Sequence, residues 1–157
     1  MNEDSAEGEK CIKKCAQWIP VGVIAILLVS QYFSFNKIYI DKYKVNALDQ
    51  YRYECVSQAI HDYQDSTGTE ITKVAFYSDA ERLYPQYTNL FCNGDLVVSA
   101  FATEWSNVAA MNYYLNSDYE KVEPTEEYTA YFSEKNWNHF SQDQLIFDGD
   151  TLHICVY

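Results

Sequence analysis

The longest apolar run in the chain lies between Lys14 and Lys37, where AQWIPVGVIAILLVSQYFSFN, residues 16–36, carries no formal charge. A hydrocarbon core about 30 Å thick needs about 20 predominantly apolar residues at helical rise, so this run predicts one transmembrane helix. Trp18 at one end and Tyr32, Phe33 and Phe35 at the other suit the two interfacial aromatic belts. A cleaved signal peptide calls for a shorter apolar core followed by small residues, and Val29-Ser30-Gln31-Tyr32-Phe33 supplies bulky ones. A buried globular helix is the rival reading, but a run apolar on every face finds little partner surface in so small a protein. No cysteine follows closely enough to carry a lipid anchor.

Beyond the span, Ile38, Tyr39, Ile40 and Tyr43 among lysines suit a helix continuing through the headgroup layer. From Lys44 to Gln64 the residues Leu48, Tyr51, Cys55, Val56, Ala59, Ile60 and Tyr63 recur at steps of three and four, the period of an amphipathic helix. Asp65-Ser66-Thr67-Gly68 ends it, with a glycine able to take the left-handed conformation. Ile71–Tyr77, β-branched and aromatic, predicts a strand, and Ser78-Asp79 a cap for a short helix over Ala80–Leu83 stopped by Pro85. Asn89–Ala100 fits a hairpin around Asn93-Gly94-Asp95 or an irregular crossover. Phe101, Trp105, Val108 and Leu115 define one face of a second helix, with Glu104 near its start and Asn116-Ser117-Asp118 closing it.

Tyr119–Glu123 reads as a short strand, and Pro124-Thr125-Glu126-Glu127 as a helix start, with threonine as cap and acids at the positive end of the dipole. A polar loop over Asn136–Ser141 follows that short helix. Gln144–Phe147 and Thr151–Tyr157 then face each other across Asp148-Gly149-Asp150, which predicts a C-terminal β-hairpin. Helices interleaved with short strands predict a small α/β sandwich. The organisation is thus a disordered cytoplasmic tail over 1–15, low in apolar residues across MNEDSAEGEK, a transmembrane helix over 16–36 and an extracytoplasmic α/β domain over 37–157.

Composition sharpens this picture. The 157 residues leave room for one modest core beyond the span. With 23 acidic and 11 basic residues the net charge is −12, which argues against nucleic acid as a partner. Most of that charge lies past Lys37, so an anionic lipid surface repels the body. Lys10, Lys13 and Lys14 on one flank of the span balance Lys37, Lys42 and Lys44 on the other, and the charge rule does not orient it. Large acidic domains translocate regardless of charge, which favours a short tail inside and the body outside. Cys11 and Cys15 sit one helical turn apart beside the membrane, open to acylation or simply inert. Cys55, Cys92 and Cys155 allow at most one disulfide within the body, and their pairing is left open.

Candidate chemistry is sparse, and no catalytic, cofactor-binding or metal-binding residue is assigned. Asp148-Gly149-Asp150 begins like a calcium loop but lacks the later acidic ligand, so turn chemistry explains it. His61, His139 and His153 stand at no ligand spacing. Glu126 with Glu127, or Asp79 with Glu81, read as solvated carboxylates before they read as an acid–base pair. Neither a G-x-S-x-G nucleophile elbow nor a phosphate-cradling glycine loop occurs, with only 5 Gly in the chain. Trp105, Trp137 and an excess of 15 Tyr over 8 Phe hint at a half-wet aromatic surface, although aromatics in a small domain are more often core.

The order of elements carries a resemblance. The exit QYFSFNKIYIDKYK, the helix ALDQYRYECVSQAIHDY, the strand ITKVAFYSD, the helix ATEWSNVAAMNYYL and the ending FDGDTLHICVY resemble the C-terminal span and soluble tail of bacterial GtrII-like glucosyltransferases, polytopic membrane enzymes of the GT-C class. The resemblance runs from about Trp18 to Tyr157 through loose motifs. It implies a tail on the outer side of the cell membrane, beside an enzyme that transfers sugar from a polyprenyl-phosphate carrier to a cell-envelope acceptor. In that family the acidic catalytic residues lie on loops between earlier spans, so none maps onto this sequence. The chain is therefore expected to be a non-catalytic accessory domain or a truncated transferase, with a polytopic glycosyltransferase or an envelope glycan as partner and no cofactor. A membrane-anchored interaction or sensor domain unrelated to sugar transfer is the alternative, and a free-standing carbohydrate enzyme using Asp148 or Glu104 a third reading.

Overall fold

The computed structural model describes residues 3–78, 99–135 and 140–156, with side chains from Ala16 onward. Helix α1 runs over Glu3–Thr67, with Pro20 inside it, and the chain divides into two compact units, Met1–Tyr39 and Ile40–Tyr157. The first unit is helical from Glu3, through a tail whose composition predicts disorder; its Glu, Ala and Lys residues are good helix formers. Its apolar stretch is long enough to cross a membrane, with mean hydropathy 1.8 over an 18-residue window, none of it buried. Trp18 is 70% exposed, and Ile26 71%.

In the second unit α1 changes character. Asp41, Val45, Asp49, Arg52, Tyr53, Val56, Ala59 and Ile60 form a stripe buried at three- and four-residue steps. The period is the expected one, and Val56, Ala59 and Ile60 are buried as expected, but Tyr51 is 57% exposed and Cys55 only half-buried, their places taken by Asp49, Arg52 and Tyr53. The reason is chemical. Three charged residues, Asp41, Asp49 and Arg52, occupy the stripe, and hydrophobicity alone cannot place them there. Asp49 accepts hydrogen bonds from Ser99 Oγ at 2.6 Å, the Ala100 amide at 2.8 Å and the Phe101 amide at 3.3 Å. The Arg52 guanidinium lies 5.9 Å from the Phe101 and Phe140 ring centres and donates to the Leu48 carbonyl at 3.2 Å. The helix stops at Thr67, where Gly68 at φ +71° bonds its amide to the Gln64 carbonyl at 2.8 Å.

Four strands form one sheet in the order β2-β1-β4-β3, with β1 Lys73–Tyr77, β2 Glu120–Lys121, β3 Leu145–Asp148 and β4 Thr151–Cys155. β1 pairs in parallel with both β2 and β4, and β4 pairs antiparallel with β3, Asp148 facing Thr151 across a turn in which Gly149 has φ +59°. The central strands β1 and β4 are buried on both faces, which explains their nearly unbroken apolar runs.

Each face of the sheet has its own cover. On one, Phe101 meets the Phe76 ring at 5.6 Å and the Tyr53 ring at 5.2 Å, and Tyr63 of α1 stacks on Phe147 at 4.4 Å. Helix α2, Asn107–Leu115, joins this side through Tyr114, stacked on Tyr53 at 4.7 Å. On the other face, Ala75, Tyr77 and Cys155 pack with Phe132 of helix α3, Glu126–Ser133. Thr125 caps α3 by accepting the Tyr128 amide, and left-handed Asn116 closes α2.

The face expected for the second helix is corrected. α2 begins only at Asn107, so Phe101 and Trp105 precede it; Phe101 is fully buried and Trp105 is 83% exposed. The Asp49 contacts turn residues 99–101 inward, and the Ser106 and Asn107 amides both donate to the Thr103 carbonyl, closing a tight turn before the helix starts. The short helix expected at Ala80–Leu83 with Pro85, most of the Asn89–Ala100 segment, and Cys92, Trp137 and His139 lie outside the described residues.

Because Asp49 is buried with three donors aimed at it, Asp49→Ala should lower stability by about 2–3 kcal/mol, and Asp49→Asn, which keeps one acceptor, by less. Urea unfolding of the detergent-solubilised chain followed by circular dichroism measures both.

Candidate functional site

The described helices that follow β1 and β2 in the chain lie on opposite faces of the sheet. β1 leads to α2 on the Phe76 side and β2 leads to α3 on the Tyr77 side, so their carboxyl ends part around a crevice. Open α/β sheets place ligand sites at such a parting of parallel strands. Here the crevice is a cavity of about 230 Å³, larger than the ~150 Å³ that admits a benzene ring. Tyr77 and Ser78 supply the end of β1, Lys121, Glu123 and Pro124 the end of β2, Glu104 and Asn107 the entrance to α2, and Thr129 a side of α3.

Asn107 is its most constrained member. It is 1% exposed, and its Oδ1 accepts the Val108 amide at 2.7 Å, which fixes the orientation of the side-chain amide. Nδ2 is left without a hydrogen-bond acceptor among the described residues. An unpaired buried amide donor costs about 1–3 kcal/mol, so such groups call for a specific explanation. Lys121 reaches across the same crevice to donate to the Glu104 backbone carbonyl at 3.3 Å. The lining residues thus bring two carboxylates, one ammonium, the Ser78 and Thr129 hydroxyls and one unsatisfied amide.

Behind it, on the α3 face, lies a buried polar network. The Thr125 amide donates to the Tyr77 hydroxyl at 3.0 Å, and that hydroxyl is 2.9 Å from His153 Nδ1. The Tyr77 hydroxyl thus accepts the Thr125 amide and shares one proton with His153 Nδ1, the imidazole tautomer setting which of the two donates. The Tyr128 ring sits 4.0 Å from the His153 ring, and its hydroxyl donates to Asp148 at 3.3 Å. Burial lowers the His153 pKa, with Asp148 pulling weakly the other way. Burial, with Asp148 beside it, raises that of Tyr128.

The residues weighed in the sequence are scattered by the fold. Glu104 lines the crevice, whereas Asp148 belongs to the network at the end of β3. Asp150 binds Lys73 at 2.9 Å and Thr72 at 3.1 Å, contacts that hold its carboxyl below the usual range. His61 is exposed, Glu126 and Glu127 sit in the first turn of α3, and His153 is buried. Among the described residues no group of three His, Cys, Asp or Glu could hold a metal ion. Asn107, Lys121 and Glu123 carry no motif in the sequence, and only the crossing of β1 and β2 to opposite faces brings them together. No family model matches the chain, and neither a curated protein nor a solved structure matches it significantly.

The lowered His153 pKa fixes a sign. The unfolded chain takes up a proton first as pH falls below about 6.5, so the stability this residue contributes is full above that pH and is lost as pH drops through the folded value. Melting temperature measured from pH 8 to 5 should fall on the acid side, and His153→Gln should flatten that slope while lowering the plateau.

Proposed function

We propose that the protein is a single-pass membrane protein whose acidic α/β domain is a non-catalytic recognition module on the outer face of the membrane. One observation carries this reading: α1 holds a charge-free stretch over 16–36 with no part covered by the rest of the chain, and farther along it supplies one side of the domain core. A water-exposed apolar surface of that length is untenable in solution, and lipid is the solvent that suits it. The body on this reading is a small α/β sandwich ending in a hairpin, supported by the helices over both sheet faces and the antiparallel pairing of β3 with β4.

The resemblance to the tail of GT-C transferases gives the module a working context: a membrane-embedded sugar-transfer enzyme beside which it recognises a ligand or packs on a span. Affinity purification from detergent-solubilised membranes is then expected to recover a polytopic partner.

Topology is the direct test. In a chain whose native cysteines are replaced, Tyr113→Cys places a thiol at a position 85% exposed, and Ser5→Cys places one in the tail. A membrane-impermeant maleimide applied to intact cells is expected to label position 113 and to reach position 5 only after lysis. The reverse pattern overturns the outer-face reading, and extraction of the chain by alkaline carbonate overturns the span itself.

A further inference from the structure

We propose that α3 is an acid-released cover: protonation of His153 uncouples this helix from the sheet while β1 and β4 stay paired, baring an apolar floor of Ala75, Tyr77 and Cys155. The inference concerns the domain alone and stands or falls independently of the span and its orientation. The attachment of α3 is slight. Of its eight residues only Phe132 is buried, and that ring meets the Tyr77 ring at 5.1 Å. The cap and first turn are held by contacts that converge on one imidazole. The Thr125 amide reaches it through the Tyr77 hydroxyl, and the Tyr128 ring lies 4.0 Å from it. His153 is 4% exposed, on a strand paired on both sides and therefore unable to move with the helix.

The groups facing His153 are Tyr77 from β1, Tyr128 from α3, Asp148 from β3 and Cys155 on its own strand, with Glu127 adding its charge at Tyr128. Asp148 draws a proton to the ring, but it already accepts the Tyr128 hydroxyl at 3.3 Å. Burial outweighs it, so the covered imidazole holds a proton less tightly than a solvated one. Acid therefore favours the form that wets the ring. Once protonated, Nδ1 can only donate, in either starting tautomer. The Tyr77 oxygen then receives both the imidazolium and the Thr125 amide, and its own proton is left facing Thr125 Oγ1 at 3.5 Å, too far for a good hydrogen bond. Swinging α3 away relieves this by breaking one buried ring contact. Separating β1 from β4 wets the ring too, but it dismantles a ladder from Lys73–Thr151 to Tyr77–Cys155 and both cores with it. The smaller opening comes first.

Thiol protection in the detergent-solubilised full chain tests this. With Cys155 as sole cysteine, its rate of reaction with dithiodipyridine is divided by that of the urea-unfolded chain at the same pH, which cancels the thiol's own titration. That ratio should rise about tenfold between pH 7.5 and 5, across the range below about 6.5 where a solvated imidazole takes up its proton. A companion chain with Cys155→Ala and its sole cysteine placed by Val56→Cys, at a buried position of α1 on the other face, should stay protected throughout. The midpoint of Cys155 exposure should coincide with protonation of His153 followed by NMR, a readout that needs no variant at that position. His153→Gln should hold Cys155 at one ratio at every pH, and His61→Gln, exposed on α1, should keep the parent profile. Phe132→Ala should bare Cys155 at pH 7.5 without acid. Equal acid exposure of the Cys155 and Val56→Cys thiols would mean that the whole domain unfolds and would overturn the cover. So would a Cys155 ratio that is flat in the parent or still climbs in His153→Gln.

Discussion

The pairing of β1 with β4 holds the domain together. Five residues of one strand run in parallel with five of the other, from Lys73 beside Thr151 to Tyr77 beside Cys155, joining segments far apart in the chain. Beyond the half-exposed Lys73 and Thr151 at their starts, both strands are buried on both faces, so each remaining residue of the pair serves one core or the other: Val74, Phe76, Leu152 and Ile154 towards α1, and Ala75, Tyr77, His153 and Cys155 towards α3. Parallel pairing needs a crossover, and among the described residues the helices between the parallel strands, α2 and α3, lie on opposite faces. The crevice at the carboxyl ends follows from that topology. So does the buried Tyr77–His153 bond, because it joins the two central strands across their shared face.

Within the domain α1 supplies its side of the core with a mixed stripe. Val45, Tyr53, Val56 and Ile60 supply apolar surface, but Asp49 and Arg52 decide what the helix packs against. A carboxylate with three donors from residues 99–101 fixes one loop against one turn of helix, and an apolar side chain of the same volume has no comparable directional preference. Arg52 then lies beside the contacting Phe101 and Phe140 rings, so the loop that Asp49 anchors also provides an aromatic face for the neighbouring charge. The two residues act on the same piece of chain from successive turns.

Much of the architecture is legible in the residues. The charge-free run over 16–36, the helix ending before Gly68, the strand within Ile71–Tyr77, the Thr125 cap and the turn at Asp148-Gly149-Asp150 are local signals, and each falls where its chemistry puts it. What the sequence conceals depends on partners. The stripe on α1 is read correctly at Val56, Ala59 and Ile60 but not in the preceding turns, because Asp49 and Arg52 score as surface residues until their donors and rings are in place. Phe101 and Trp105 share a helical spacing but not a helix, since the turn closed by Thr103 sends them in different directions. The order β2-β1-β4-β3 has no signature in periodicity, and with it goes any view of the crevice. Asn107, Lys121 and Glu123 are unremarkable letters until two strand ends meet.

β3 is the outer strand on one side of the sheet, bonded to β4 and to no other strand among the described residues. Its Leu145-Ile146-Phe147 core is apolar, only half-buried at Ile146 and Phe147, and an edge of that kind offers its backbone to any strand that arrives. Asp148 at its end and the 3-10 turn over Gln142–Gln144 before it keep the edge to four residues. The other edge, β2, is shorter still, at two residues, with a glutamate and a lysine. The molecule's resistance to strand-to-strand aggregation therefore rests on brevity and charge at its margins, and a substitution that lengthened β3 or neutralised Asp148 would expose a template for self-association at high concentration.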